Sequence, residues 1–354
     1  MSAEHQEGAA GSMSTSALLE RRHKDRGSNH YFMPLSEILT FGKIRENGNI
    51  FIPANQYPFD RMNKAKVRKP AAVGFYEGNP SALRAQIAQC FVDGPGAPPQ
   101  VKKGKGFLGA VVPHAGYMYS GRIAAFSYAE IAGRFPRKFV ILGPNHTGRG
   151  SPVALFPSGA WETPLGLAPV DEALGKTIFR DIIDADESAH RSEHSIEVQL
   201  PFIQYLAAQM AQGGDFSFVP ICLGMQDVLT AEDVGNIIAE ALKGEESACI
   251  IASTDFSHVG FNYGEPVPAG KRIDQFAKEQ DQKAIDAILK MDPQELASVV
   301  EEYNITMCGY GCVAAMLFAM KKLGASKARL LKYGSSYEVA PGSSCVGYGA
   351  LIVE

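Results

Sequence analysis

Phe107-Leu108-Gly109-Ala110-Val111-Val112-Pro113-His114-Ala115-Gly116-Tyr117 is the stretch whose reading decides the fold. Its first six residues form a short apolar run that is β-branched at its end, the pattern of a strand buried on both faces. A polar cluster carrying a histidine follows at once. Two further segments repeat this pattern. Phe139-Val140-Ile141-Leu142 is closed by Gly143-Pro144-Asn145-His146, and Cys249-Ile250-Ile251-Ala252 by Ser253-Thr254-Asp255-Phe256-Ser257-His258.

Helical patterns separate these runs. Ser120 is positioned to cap a helix to about residue 132. Others are expected over 172–183, 195–210, 273–289 and 313–323, with Ile196, Leu200 and Ile203 on one face of the second. Thr230 reads as a further cap with Asp233 three positions on, and Asp292-Pro293 as a helix start with proline at its first position. Strands are expected at 216–223, 330–333 and 348–353. Such alternation predicts an α/β domain of three layers, with a mainly parallel central sheet and helices on both faces. In sheets of this kind ligands bind beyond the carboxyl ends of the strands. His114, His146 and His258 therefore belong to one edge.

The 354 residues carry a formal net charge of -4 and are 45% hydrophobic. No basic stripe points to a nucleic acid, and no apolar run approaches the ~18 residues of a membrane span. Residues 1–65 read as an N-terminal extension, partly disordered, and 66–354 as a single domain with no internal repeat. The first 33 residues lack the apolar core of an export signal and include Glu4, Glu7, Glu20 and Asp25. With six cysteines and no such signal, the thiols are expected to be reduced and the compartment cytoplasmic.

The three strand-end histidines are the chemical core of the sequence. Neutral imidazole is the commonest metal ligand and the general base best matched to neutral pH. His114 and His146, 32 residues apart, suit one strand–helix–strand crossover, so neighbouring strand ends can deliver both to one ion. In Met307-Cys308-Gly309-Tyr310-Gly311-Cys312, Cys308 precedes a helix, where the dipole favours a thiolate. A buried cysteine at a helix cap is the plainer reading of those residues. In Glu193-His194-Ser195-Ile196-Glu197 the carboxylate of Glu193 suits the first turn of a helix, and His194 can orient a ligand as an outer hydrogen-bond partner.

Taken in order, Pro113-His114-Ala115-Gly116-Tyr117, Gly143-Pro144-Asn145-His146, Glu193-His194-Ser195-Ile196-Glu197, Ser253-Thr254-Asp255-Phe256-Ser257-His258 and Met307-Cys308-Gly309 resemble the Memo family, whose prokaryotic members are also called AmmeMemoRadiSam system protein B. The resemblance runs from about residue 67 to the C-terminus. It implies a fold like that of class III extradiol dioxygenases, which hold ferrous iron with two histidines and a carboxylate. It further implies one metal ion held by His114, His146 and Cys308, with His258 as acid/base and Asp255 and His194 beside the metal. Glu193, Tyr117 and Tyr310 complete the expected pocket, the tyrosines as hydrogen-bond donors. A thiolate in place of the carboxylate draws the site toward softer or redox-active metals. Iron(II) is expected foremost, with copper and zinc as alternatives.

Three functions follow from this reading. One is a metal-dependent oxidoreductase resembling the dioxygenases. Another is a binding or signalling protein on the same scaffold, taking a small molecule or a phosphopeptide-type ligand. The third is a metal-dependent hydrolase with Asp255 or Glu193 as base. The family name also implies a functional link to AMMECR-type and radical-SAM proteins.

Overall fold

Each of the three apolar runs that precede a histidine is a strand of one large sheet. The computed structural model describes residues 45–46, 49–50, 66–210 and 214–354. Arg45–Glu46 and Asn49–Ile50 form a two-residue antiparallel pair. The rest of the expected 1–65 extension lies outside the described residues. From Lys66 on, the described chain belongs to one compact unit.

The sheet has nine strands: β1 Gly106–Val112, β2 Lys138–Pro144, β3 Val153–Leu155, β4 Asp184–Ala185, β5 Ser217–Leu223, β6 Ser247–Ser253, β7 His258–Gly260, β8 Ala328–Ser335 and β9 Ser344–Val353. Their order is β7-β9-β1-β6-β2-β5-β3-β4, with β8 paired to β9. The four central strands β1, β6, β2 and β5 run parallel. The flanking pairs β9–β1, β8–β9, β7–β9 and β5–β3 are antiparallel. A separate sheet of three short strands joins Val67–Arg68, Ala160–Thr163 and Gly166–Pro169.

Strict alternation sends each central strand into two cores. Leu108, Ala110, Val112, Phe139, Ile141, Cys249 and Ile251 face one of them. There they meet the helices α1 Pro80–Asp93 and α2 Tyr117–Gly133 and the helix α4 Leu200–Ala207. Val111, Val140, Leu142, Ile250 and Ala252 face the other core. It is closed by α3 Glu172–Ile178, α5 Val228–Leu242, α6 Ile273–Leu289, α7 Pro293–Glu302 and α8 Tyr310–Lys322. The three-layer α/β reading therefore holds. Among the described residues no helix is long and apolar enough to cross a membrane.

Several helix starts differ from the sequence expectation, each for a local reason. α2 begins at Tyr117 behind Gly116, and the hydroxyl of Ser120 donates to Ala115 O at 2.9 Å instead of capping. Asp227 caps α5, accepting from the Leu229 and Thr230 amides at 3.1 Å each, so Thr230 is already inside the first turn. The expected 195–210 helix becomes a 3-10 turn, Glu197–Gln199, followed by α4 with Pro201 in its first turn. Proline suits that turn because it has no amide hydrogen to leave unpaired. The residues before it turn toward the strand ends. Asp292 does cap α7, with Pro293 at its start.

Candidate metal centre

His114, buried just past β1, is fixed from two sides. Its amide donates to Asp255 Oδ1 at 2.8 Å. Its Nδ1 lies 3.0 Å from the hydroxyl oxygen of Ser253, the last residue of β6. That hydroxyl gives its only hydrogen to Ser195 O at 2.7 Å and accepts from Gln199 Nε2 at 2.8 Å. It can therefore only accept from His114, so Nδ1 carries the proton and the Nε2 lone pair is left to bind. Burial, helped by the neighbouring His146, His194 and His258, holds the ring well below its ordinary pKa, so it is neutral.

Glu193 orders the second and third imidazoles. Its Oε2 accepts the His146 amide at 2.6 Å, and its Oε1 lies 2.9 Å from His146 Nδ1. Oε1 also accepts the amides of His194 and Ser195, at 2.9 Å each, and stands 3.3 Å from His194 Nδ1. A carboxylate accepts only, so His146 too holds its proton on Nδ1 and turns Nε2 outward. Burial raises the Glu193 carboxyl, but the hydrogen bond and charge of His146 and the Ser195 amide outweigh it, bringing the pKa down to about 2. Burial takes His194 down to about 4 against the opposing pull of Glu193. The His194 ring packs on Phe75, with centroids 4.3 Å apart, and stacks on His146 at 4.7 Å. His114 stands nearly perpendicular to both.

Arg68 carries this limb from behind. Its guanidinium donates to His190 O at 2.9 Å and to Glu193 O at 2.6 Å, pairs with the buried Glu197, and lies 4.1 Å over the Trp161 ring. Glu197 also accepts the Ala71 and Ala72 amides and the Tyr76 hydroxyl. The loop 190–199 is thus anchored in the interior while its His194 end reaches the strand edge.

Cys308 approaches from the segment before α8. Its Sγ is 3.2 Å from His114 Nε2 and accepts the Asp255 amide at 3.3 Å. Burial, then the Asp255 carboxylate, pushes this thiol up, so without a cation it is the S–H form that meets the His114 lone pair. Asp255 is itself raised by burial, opposed by His258 and by the His114 and Ala115 amides. His258 donates its amide to the Thr306 hydroxyl at 2.7 Å, and its Nδ1 lies 3.0 Å from Thr306 O. A carbonyl accepts only, so the proton sits on Nδ1 and the Nε2 lone pair remains.

One ring nitrogen from each of His114, His146 and His194 lies within 4.8 Å of the other two. Among the described residues this is the group with that property, and it differs from the expected His114–His146–Cys308 set. His194 brings a third ring nitrogen to those of His114 and His146. Cys308 is close to His114 but outside the mutual cluster. Tyr117 is corrected outright: its hydroxyl donates to Val198 O at 2.6 Å and its ring packs on Phe202 and Tyr76, inside the core. Tyr310 opens α8 and packs against the second core. Ser253, Gln199, Thr306 and Arg68 escaped the sequence reading, because nothing in such a residue marks it as a partner of a site segment far away in the chain: Ser253 meets His114, Gln199 meets Ser253, Thr306 meets His258 and Arg68 meets the 190–193 backbone.

Other proteins resemble this chain over most of its length. The family model described as "Memo-like protein" matches residues 68–352. The chain belongs to the Memo-like family. A MEMO1 family protein of Methanothermobacter thermautotrophicus is 44% identical over 293 residues, covering 80% of this chain and 99% of that one. One from Methanococcoides burtonii is 45% identical, covering 81% and 100%, and one from Nitrosopumilus maritimus 39%, covering 80% and 98%. A crystal structure of an uncharacterized Escherichia coli K12 protein superposes with a TM-score of 0.47 at 13% identity, over 70% of this chain and 99% of that one.

This Memo-like site has the donor chemistry that a metal ion requires. The Nδ1 positions of His114 and His146 are anchored by hydrogen bonds and that of His194 faces Glu193, which leaves Nε2 lone pairs for binding. The 3.2 Å between His114 Nε2 and Cys308 Sγ suits two ligands at ~2.0 and ~2.3 Å from one ion. The three-histidine group can bind a metal ion.

Proposed function

We propose that this Memo-family chain is a mononuclear-metal oxidoreductase, taking iron(II) or copper on His114, His146 and Cys308, with His258 as the proton-transferring group. The observation that supports it best is the Cys308 thiol 3.2 Å from Nε2 of the anchored His114, with the His146 ring beside that imidazole and a further histidine, His258, whose Nε2 lone pair is uncommitted to Thr306. A redox-active ion bound there supplies electron transfer and polarises a coordinated substrate oxygen. The protein's part is acid–base and positional. Thr306 fixes the His258 tautomer, so Nε2 can take a proton from a phenolic hydroxyl and return it later. The Asp255 carboxylate pins the His114 backbone and lies within electrostatic reach of His258.

The hydrolase reading needs a carboxylate base. Glu193 is engaged by three amides and His146 and is not placed for that work, while Asp255 holds two amides on Oδ1 alone. The binding reading has an observation in its favour. Met118, at the start of α2, is 65% exposed, Phe261, just past β7, 85%, and Val73, two residues from the Phe75 that covers His194, 87%. Apolar side chains exposed on these three segments would give a peptide-sized ligand points of contact. A link to AMMECR-type and radical-SAM proteins belongs to this proposal on family grounds.

Elemental analysis of anaerobically purified protein, beside His114→Ala and Cys308→Ala, tests the metal set. About one equivalent of iron or copper in the parent, lost in both variants, is expected. Oxygen uptake with catechol-type phenols should then fall ~10²–10⁴-fold in His258→Ala. A fully loaded parent with no oxygen uptake on any phenol would leave the binding reading in possession.

A further inference from the structure

The ring of His258 is flanked by a phenol. Tyr263 stands against it, with ring centroids 5.1 Å apart and planes at 80°. Tyr263 ends a 3-10 turn, Phe261–Tyr263, that follows β7 directly. The turn is hooked to the start of β9. Its Phe261 amide donates to Ser343 O at 3.0 Å and its Asn262 amide to Ser344 Oγ at 2.9 Å. Gly260 permits this approach: its φ is 99°, and a Cβ there would lie 2.2 Å from Ser343 O. The Gly260 amide also donates to Glu265 O at 2.7 Å, which closes the loop that carries both rings. The backbone therefore fixes the pairing of Tyr263 with His258.

Tyr263 is 44% exposed, and its hydroxyl makes no hydrogen bond among the described residues. Burial, then the charges of Asp255, Cys345 and Tyr119, raises this phenol, so it keeps its proton at neutral pH. Tyr348 is the other titratable group within electrostatic reach. A neutral phenol has one hydrogen to donate, and here nothing in the fold takes it. Tyr117, by contrast, spends its hydrogen on Val198 O. We propose, resting on the oxidoreductase reading above, that Tyr263 contacts the substrate and makes the site selective for phenols: His258 Nε2 takes the proton of the substrate hydroxyl, and Tyr263 donates a hydrogen bond to the phenolate oxygen that is left. The substrate O–H bond breaks, an N–H bond forms on His258, and Tyr263 keeps its own proton throughout. A hydrogen bond to an ionised oxygen is about twice as strong as one to a neutral oxygen, so this contact strengthens as the substrate ionises.

The test uses 4-nitrocatechol, whose visible absorption reports its own ionisation. It is titrated without oxygen into the iron(II)-loaded parent, Tyr263→Phe and Tyr263→Ala at a series of pH values. Tyr263→Phe keeps the ring against His258 and removes only the hydroxyl. Its affinity for the probe should fall about 10–100-fold, the range for loss of a hydrogen bond to a charged group. The pH at which the bound probe ionises should rise by about one pH unit, because the ionised form loses more than the neutral one. Thermal melts and iron content should stay parent-like. A tyrosine that only packs against His258 would leave Tyr263→Phe parent-like in affinity and in probe ionisation, with losses confined to Tyr263→Ala. That result overturns the proposal and leaves the metal centre and His258 standing. A parent that takes up no iron, or that takes it up and binds no nitrocatechol, overturns the oxidoreductase reading itself and this proposal with it.

Discussion

Glu193 shows how much one side chain decides at this site. Its two oxygens take the amides of His146, His194 and Ser195 and lie against the Nδ1 atoms of both histidines. Glutamine has nearly the same shape but presents an NH₂ where one of these oxygens accepts. Glu193→Gln therefore sets a donor against the His146 amide or the ring nitrogens and frees the His146 tautomer. Metal affinity by chelator competition should fall ~10–100-fold. An affinity within twofold of the parent would show that Glu193 does not orient these ligands. The histidines at 114, 146 and 258 were legible from the sequence because each follows an apolar strand, and a parallel sheet brings such positions together. His194 was expected beside the metal from the resemblance and as an outer partner from its residues; that its ring nitrogen groups with those of His114 and His146 was not legible, because its segment reads as the first turn of a helix that in fact starts at Leu200. Tyr117 failed in the other direction. It follows His114 by three positions, but the start of α2 turns its hydroxyl inward to Val198 O.

Elements carry these residues by close backbone approach, and two positions test this. Gly309, next to Cys308, is needed for room: a Cβ there would lie 2.6 Å from Ser253 O and 2.8 Å from Thr254 Cβ. Gly309→Ala must push the 307–309 segment off the end of β6, taking Cys308 with it. Copper(I) affinity should fall more than about tenfold, with a stability loss of ~1–3 kcal/mol from overpacking. A parent-like value of both would mean that the segment yields without moving the sulfur. Arg68 is the corresponding anchor of the other limb. Arg68→Ala leaves the buried Glu197 carboxylate without its cation, which should cost ~3–5 kcal/mol in urea unfolding. A loss under about 1 kcal/mol would assign the anchoring to the Ala71 and Ala72 amides instead. The central strands were legible as unbroken apolar runs, and α6 by its long helical period. The short strands β3, β4 and β7 were not, since two or three residues carry no period. Helix caps failed wherever two residues could serve, as at Asp227 and Thr230, where only the packed backbone decides.

At the scale of the whole molecule, Asp281 ties the second core to the site edge, and its ionisation makes the fold sensitive to pH. It lies fully buried on α6, its Oδ1 accepting the Ser257 amide at 2.8 Å and its Oδ2 the Tyr333 hydroxyl of β8 at 2.7 Å. Ser257 directly precedes His258, so this one carboxyl joins α6, β8 and the segment that carries His258. Burial raises its pKa to about 6, against the opposing effect of Ser257, Tyr333 and the charge of His258. The unfolded value is near 3.8. Below that both states hold the proton and the group is neutral to stability. Between about 3.8 and about 6 the folded chain keeps a proton that the unfolded chain has lost, so stability falls as pH rises, by roughly 3 kcal/mol in all. His190 and His194, held down to about 3 and about 4, act in the opposite sense, since the unfolded chain protonates first as pH drops below the ordinary histidine value. The parent's own profile over this window is therefore a balance, and the difference from Asp281→Asn isolates the one carboxyl. Asparagine can still accept the Ser257 amide and donate to the Tyr333 oxygen. Urea midpoints from pH 4 to 7 should show Asp281→Asn gaining on the parent as pH rises and levelling off above about pH 6. Parallel profiles would place the Asp281 pKa near its unfolded value and leave the balance to the histidines.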